Sequence, residues 1–256
     1  MLKTTLNALV LGHGPIRVIG LHGWFGNAQA WKPLADLLDS SRYTIAYLDY
    51  RGYGARIDVP GEWTMYEIAQ DALQLANELG WDRFHLMGHS MGGMAIQRVM
   101  VEAPHRVGRL FAITPVPASG MPLDEATWSL FSAAAEDEAA RRAIIDSSTG
   151  GRLPKHWVAG MAMRSMKLSD KRAFAAYLVA WAKTNFVERV SESSTPLHIV
   201  VGEHDPALTL ERMEATTLRW FKNASIEVMP NAGHYPMDET PVALASSIER
   251  FLSMEI

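Results

Sequence analysis

Apolar and polar positions along this chain follow two alternating rhythms. The run IRVIGLHG, Ile16 to Gly23, is short, β-branched and almost continuously apolar before its glycine, the pattern of a strand buried on both faces. An earlier apolar stretch in MLKTTLNALVLGHG also reads as a strand. A helix is expected from Ala30 to Leu38, a second strand in TIAYLD (Thr44 to Asp49), and then a glycine-punctuated loop from Asp49 to Gly54. Met65, Ile68, Ala69, Ala72, Leu75, Ala76 and Leu79 recur at helical spacing, and Gly80 sits where a left-handed C-terminal cap belongs. Strand FHLMG (Phe84 to Gly88), a helix from Met91 to Glu102 that stops before Pro104, and strand GRLFAIT (Gly108 to Thr114) continue the alternation. Strands and helices in turn, with short connections, imply βαβ units and a mostly parallel, doubly wound sheet.

The rhythm breaks at Pro115. For about 75 residues only helical stretches follow, near Glu125 to Asp146, Lys155 to Met166 and Asp170 to Lys183. After Pro196 the alternation resumes with strand LHIVVG (Leu197 to Gly202), a helix around Leu210 to Phe221, strand SIEVM (Ser225 to Met229) and an amphipathic helix from Pro241 to Leu252. The expected organisation is one α/β core, residues 1–114 and 191–256, with a helical lid, residues 115–190, spliced into it.

Composition narrows the chemistry. Of 256 residues 48% are hydrophobic and 20% charged, enough apolar material for one large folded domain, which sets disorder and coiled coil aside. The absence of cysteine removes disulfides, thiolate nucleophiles, zinc-thiolate sites and iron–sulfur clusters. A formal charge of −4 argues against a broad basic face for nucleic acid. The N-terminus lacks the cleavage pattern of a signal peptide, and the longest uncharged apolar run, Ala173 to Ala182, is about half of a bilayer span. A cytoplasmic protein with no membrane span is the expectation.

GHSMGG, Gly88 to Gly93, fits G-x-S-x-G at a point where a strand turns directly into a helix. There Ser90 needs positive φ to project its hydroxyl, and small neighbours to leave the backbone room. A serine hydroxyl is a weak nucleophile and requires a base within hydrogen-bond reach, itself oriented by a third group. Among nine histidines, His234 in NAGHYP lies in the loop after the last strand, at the carboxyl edge where such sheets carry their sites. His198 and His85 fall within strands, and the side chains of His89 and His204 are expected to point away if Ser90 and Asp205 point inward. VGEHDPA places Asp205 just past the strand ending at Val201, with Glu203 as the rival acid and Asp238 a more distant one. The oxyanion donors expected are the backbone N–H groups of Met91 and, from the loop after Gly23, Trp24. Neither GHGPIRVIG nor GYGARI completes a phosphate-cradling glycine pattern, and His85 and His89 sit at a strand end rather than on one helix face, so no cofactor or metal site is expected.

HGWFGNAQAW, DYRGYG, GHSMGG, GEHDP and NAGHYP, in this order, resemble the α/β-hydrolase superfamily over the whole chain apart from the lid. The HGW stretch is similar to pimeloyl carrier-protein methyl ester esterases, and GHSMGG to many small carboxylesterases. The order Ser90, Asp205, His234 is that in which α/β hydrolases carry serine, acid and histidine. The resemblance implies a serine carboxylic-ester hydrolase without metal or organic cofactor. It disfavours dehalogenase and epoxide hydrolase chemistry, whose enzymes in this superfamily place Asp where this chain has Ser90. Thioester or carrier-protein ester, enol-lactone and carbon–carbon bond hydrolysis remain open, as does a small-molecule receptor with vestigial hydrolysis.

Substrate choice is expected to be written in the lid. Its Met and aromatic residues, Trp157, Met161 and Trp181 among them, suggest an apolar pocket for the acyl part of an ester. From Arg141 to Lys183 nine basic residues stand against two acids, a net of +7 on a remainder of −11. Such a patch could dock an anionic carrier or substrate.

Overall fold

The computed structural model describes residues 4–191 and 193–253. Seven strands form one sheet: β1 (Leu9–Gly12), β2 (Ile16–Leu21), β3 (Tyr43–Leu48), β4 (Phe84–His89), β5 (Val107–Ile113), β6 (Leu197–Gly202) and β7 (Ala224–Met229). Their order is β1-β3-β2-β4-β5-β6-β7, with β1 antiparallel to β3 and every other pairing parallel. The chain steps from β2 outward to β3 and then back across β2 to β4, so the direction of winding reverses between β2 and β4. Ligands of open α/β sheets bind beyond the carboxyl ends of strands at such a reversal.

Alternate residues of each strand serve opposite faces, as the pleat requires. Ile19 and Leu21 of β2 join one apolar layer with Leu86, Leu110 and Ile199. Val18 joins the other with Ile45, Met87, Phe111 and Val200. The first layer is covered by α2 (Met65–Glu78) and α3 (Met91–Glu102), the second by a short helix α1 (Lys32–Ala35) and the C-terminal helix, Pro241–Leu252. The α2 boundary is set locally: Thr64 accepts from the Glu67 N–H at 3.1 Å, the Glu67 carboxylate reaches back to the Trp63 N–H at 3.0 Å, and Gly80 closes the end at φ +67°.

Between β5 and β6 lie α4 (Glu125–Ala133), α5 (Glu138–Ser148), α6 (Lys155–Lys167), α7 (Lys171–Lys183) and the single turn α8 (Val187–Val190). After β6 come α9 (Leu210–Ala215) and α10 (Thr217–Trp220); after β7, α11 (Pro236–Glu239) and α12 (Pro241–Leu252). Four expectations change. Ala30 to Leu38 is a 3₁₀ turn, Ala28–Trp31, followed by the four-residue α1, because the Ala28 N–H is drawn onto the Asp49 carboxylate at 2.7 Å and Asn27 caps Gln29. Glu125 to Asp146 divides into α4 and α5, since the Asp137 carboxylate accepts from the Ala139 N–H and starts a new helix. Leu210 to Phe221 breaks at Thr216, which leaves helical geometry at φ −128°, ψ −100°. The turn α11 was not expected and begins at Pro236, a residue suited to a first helical turn.

Candidate active site

Ser90 follows the last residue of β4 and precedes the first of α3 at φ +55°, ψ −117°, a conformation that side-chain-bearing residues rarely adopt. Glycine is needed on both sides of it. A Cβ on Gly88 would lie 2.2 Å from the Gly92 carbonyl oxygen, and one on Gly92 would lie 2.1 Å from that of Leu21. The Ser90 N–H donates to the Ile113 carbonyl at 2.9 Å, so the strained turn is tied to the neighbouring strand.

The His234 Nε2 stands 3.0 Å from Ser90 Oγ, and its Nδ1 stands 2.6 Å from Asp205 Oδ2. An ionised carboxylate only accepts, so Nδ1–H donates to Asp205 and Nε2 is left to accept the serine proton. Asp205 is buried, and its other oxygen accepts from the Ala207 and Leu208 N–H groups at 2.9 and 3.0 Å. Burial by itself raises this carboxyl, but the attraction of His234 and the three donors outweigh it and hold the group below its ordinary value. The two rival acids stand apart from this contact: Glu203 is exposed and accepts from the Asn231 N–H, while Asp238 lines a neighbouring groove with Met161. His204 faces Glu203 at 3.5 Å, and His198 bonds Ser225 at 2.8 Å in the sheet.

The loop after β2 lies against the serine. A Cβ on Gly23 would sit 2.6 Å from His89 Nδ1 and 3.2 Å from Ser90 Cβ. Among the described residues no acceptor takes the backbone N–H of Trp24 or of Met91. Trp24 is itself held three ways. Its Nε1–H donates to the Phe174 carbonyl at 2.8 Å, its carbonyl accepts from the Tyr53 hydroxyl at 2.9 Å, and its ring stacks on Phe174 with centroids 4.1 Å apart. Sequence reasoning passed over Tyr53, and over His22, whose Nδ1–H donates to the Gly23 carbonyl at 2.9 Å and whose burial lowers its pKa. The DYRGYG and HGW motifs held both residues, but without a signal for their direction.

A cavity of ≈ 80 Å³ opens at Ser90 and His234, walled by Trp24, Val116, Met121, Phe131, Ile144, Trp181 and Leu208. Trp181 thus reaches the site. Met161 lines a separate ≈ 30 Å³ recess that also reaches Ser90 and His234, with Phe25, Ala30 and His89. Trp157 lines neither space and packs edge-on against Tyr235 with centroids 5.6 Å apart.

The basic excess of the inserted helices is largely consumed within the chain. Arg141 is fully buried, donating to the Ala134 carbonyl and the Ser165 and Ser169 hydroxyls and lying 3.6 Å from the Phe174 ring centroid. Arg142 pairs with Glu138, Arg152 with Glu239, Lys171 with Glu136 and Arg172 with Asp170. Lys183 lies over the Trp128 ring. Counting charge along the sequence misses this because three of those acids lie outside the stretch counted. Among the described residues no group of three or more His, Asp or Glu could hold a metal ion, and no helix is long and apolar enough to cross a membrane.

Residues 18–247 match the model of a family described as the alpha/beta hydrolase family. The chain is 24% identical over 245 residues to a pimeloyl-[acyl-carrier protein] methyl ester esterase of Pseudoalteromonas atlantica, covering 92% of this chain and 93% of that protein. A fluoroacetate dehalogenase of Burkholderia is 34% identical, but over 118 residues, 44% of this chain and 38% of the relative. A solved bromoperoxidase of Bacillus anthracis superposes with a TM-score of 0.88 at 19% identity, over 96% of this chain and 95% of that one.

Proposed function

The chain belongs to the alpha/beta hydrolase family, and we propose that it hydrolyses carboxylic esters through an acyl-enzyme formed on Ser90. The observation that carries this reading is the continuous hydrogen-bonded line from Ser90 Oγ through the His234 imidazole to the buried Asp205 carboxylate. His234 Nε2 takes the serine proton as Oγ attacks the ester carbonyl carbon, and Asp205 fixes the ring and stabilises the imidazolium. The N–H groups of Trp24 and Met91, free of other acceptors, would bind the oxyanion of the tetrahedral intermediate. As that intermediate collapses, the C–O bond to the alcohol breaks and the alcohol leaves with the proton from His234. Water then attacks the acyl-serine by the same route, regenerating Ser90 and releasing the acid.

The ≈ 80 Å³ apolar cavity suits a short acyl or alkyl half of the ester, and the helices of residues 115–190 act as its lid through Phe131, Ile144 and Trp181. The full-length relationship to an ester hydrolase supports this chemistry, as does a serine rather than an aspartate at position 90. Turnover of short aryl esters by Ser90→Ala is the direct test. The reading expects turnover to fall by several orders of magnitude, to the residual acceleration that binding and the oxyanion donors supply, together with loss of fluorophosphonate labelling; turnover near the wild-type rate would overturn it.

A further inference from the structure

Two residues that this chemistry does not use converge on one atom that it depends on. His89 is buried beneath the site, with its Nε2 2.7 Å from the backbone carbonyl oxygen of His234. A carbonyl only accepts, so Nε2–H is the donor. Burial, with His234 close by, pushes this imidazole down to about 3. The ring is therefore neutral at ordinary pH and its one proton is committed to that bond. The unprotonated Nδ1 faces the Gly23 backbone.

Thr114, the first residue past β5, is also fully buried and donates its hydroxyl to the same carbonyl at 3.2 Å. Its own N–H donates to the Val200 carbonyl at 2.7 Å, and its φ is +40°. A β-branched residue in the left-handed region is strained, and such strain persists where the surroundings over-determine the conformation, most often beside a functional site. Here the strained backbone aims the hydroxyl at His234. The carbonyl's two lone pairs thus meet two donors, one from the last residue of β4 and one from the residue just past the neighbouring β5, while the His234 N–H is held by the Ser148 carbonyl at 3.1 Å. Only two rotatable side-chain bonds separate that backbone from the imidazole, so the backbone position decides whether Nε2 and Nδ1 can reach Ser90 and Asp205 together.

We propose that His89 and Thr114 are positioning residues, whose paired hydrogen bonds to the His234 carbonyl set the backbone from which the imidazole spans Ser90 and Asp205. The inference rests on the serine hydrolase reading above. Its test compares His89→Leu and Thr114→Val, which remove the donors, with His89→Gln and Thr114→Ser, which keep one. Aryl ester kinetics, the rate of Ser90 labelling by a fluorophosphonate and thermal melting are measured on each. Loss of either donor lowers kcat and the labelling rate roughly 10–100-fold, with KM held within about twofold, while the donor-keeping variants recover most of both rates. Because both donors act through one carbonyl, the double variant loses less than the product of the single losses. A purely structural role would lower melting temperature without this kcat-specific loss and rescue. Wild-type labelling rates in Thr114→Val and His89→Leu overturn the proposal, as does a donor-keeping variant as slow as its donor-free counterpart. If His89→Leu fails to fold, the Thr114 pair decides alone. If the wild-type protein is not labelled at Ser90, it is the underlying hydrolase reading that has failed.

Discussion

Trp24 Nε1 donates to the Phe174 carbonyl at 2.8 Å, across 150 positions of chain. This bond joins the loop after β2 to α7, one of the helices between β5 and β6. The Phe174 ring then lies between the Trp24 ring and the buried Arg141 guanidinium, so one stacked column runs from α5 to the loop that lines the cavity at Ser90. The helices between β5 and β6 thus hold the Trp24 loop and also supply Phe131, Ile144 and Trp181 to the cavity wall.

Trp24→Phe keeps an aromatic ring over Phe174 but deletes this bond. A net hydrogen bond is worth about 1 kcal/mol, so urea titration should show a loss of that order. Ester turnover should fall with it, by kcat more than by KM, because the N–H next to the altered side chain is the proposed oxyanion donor.

Asp205→Asn should leave the fold intact and lower kcat by roughly 10³–10⁴-fold. The Ala207 and Leu208 N–H groups keep the amide oxygen at the Oδ1 position, so the amide NH2 faces His234 Nδ1 and the ring loses the tautomer that leaves Nε2 free to accept the serine proton. Steady-state kinetics on an aryl ester, with circular dichroism as the folding control, measure this; a loss below tenfold would count against Asp205 as the orienting acid.

Gly23→Ala is expected to abolish most activity while folding. The added Cβ would meet His89 Nδ1 at 2.6 Å and Ser90 Cβ at 3.2 Å, forcing the loop and the serine apart. A displacement of about 1 Å can cost on the order of 100-fold in rate, and the comparison of Ser90 labelling rates in the two proteins reads it directly.

Stability should decline as pH falls below about 6.5. His89 and His85 are buried and are pushed down to about 3 and about 4, chiefly by burial. A histidine whose folded value lies below its unfolded one contributes fully above the unfolded value. That contribution is lost as pH falls through the interval toward the folded value. Each such group steepens acid sensitivity by up to about 1.4 kcal/mol per pH unit. His89→Gln, which cannot take up that proton, should therefore show a shallower fall in denaturation free energy between pH 6 and 4 in roughly that amount. Equal slopes in the two proteins would exclude a buried neutral His89.

Much of the architecture was legible along the chain because secondary structure is written in local periodicity. The helices Met91–Glu102 and Pro241–Leu252 and the strand Leu197–Gly202 have the expected ends. The failures came where a distant group intervened, as when Asp49 drew in the Ala28 N–H and shortened the first helix. Asp205 and His234 were legible as candidates because each follows a strand end, and the strand ends of a parallel sheet converge on one edge. The role of His89 was not. Its neighbour Ser90 points into the site, so the sequence suggested only that His89 points elsewhere, and the carbonyl it finds belongs to a residue 145 positions away.

Sequence alone determined the alternating α/β architecture, the G-x-S-x-G turn and the chain order of serine, acid and histidine, since each is a property of neighbours or of element succession. Tertiary structure decided which acid reaches the imidazole, how Trp24 is oriented, and that a run with a net charge of +7 is mostly paired or buried. Those outcomes depend on side-chain direction and on contacts between segments far apart in the chain, which packing specifies and no local pattern encodes.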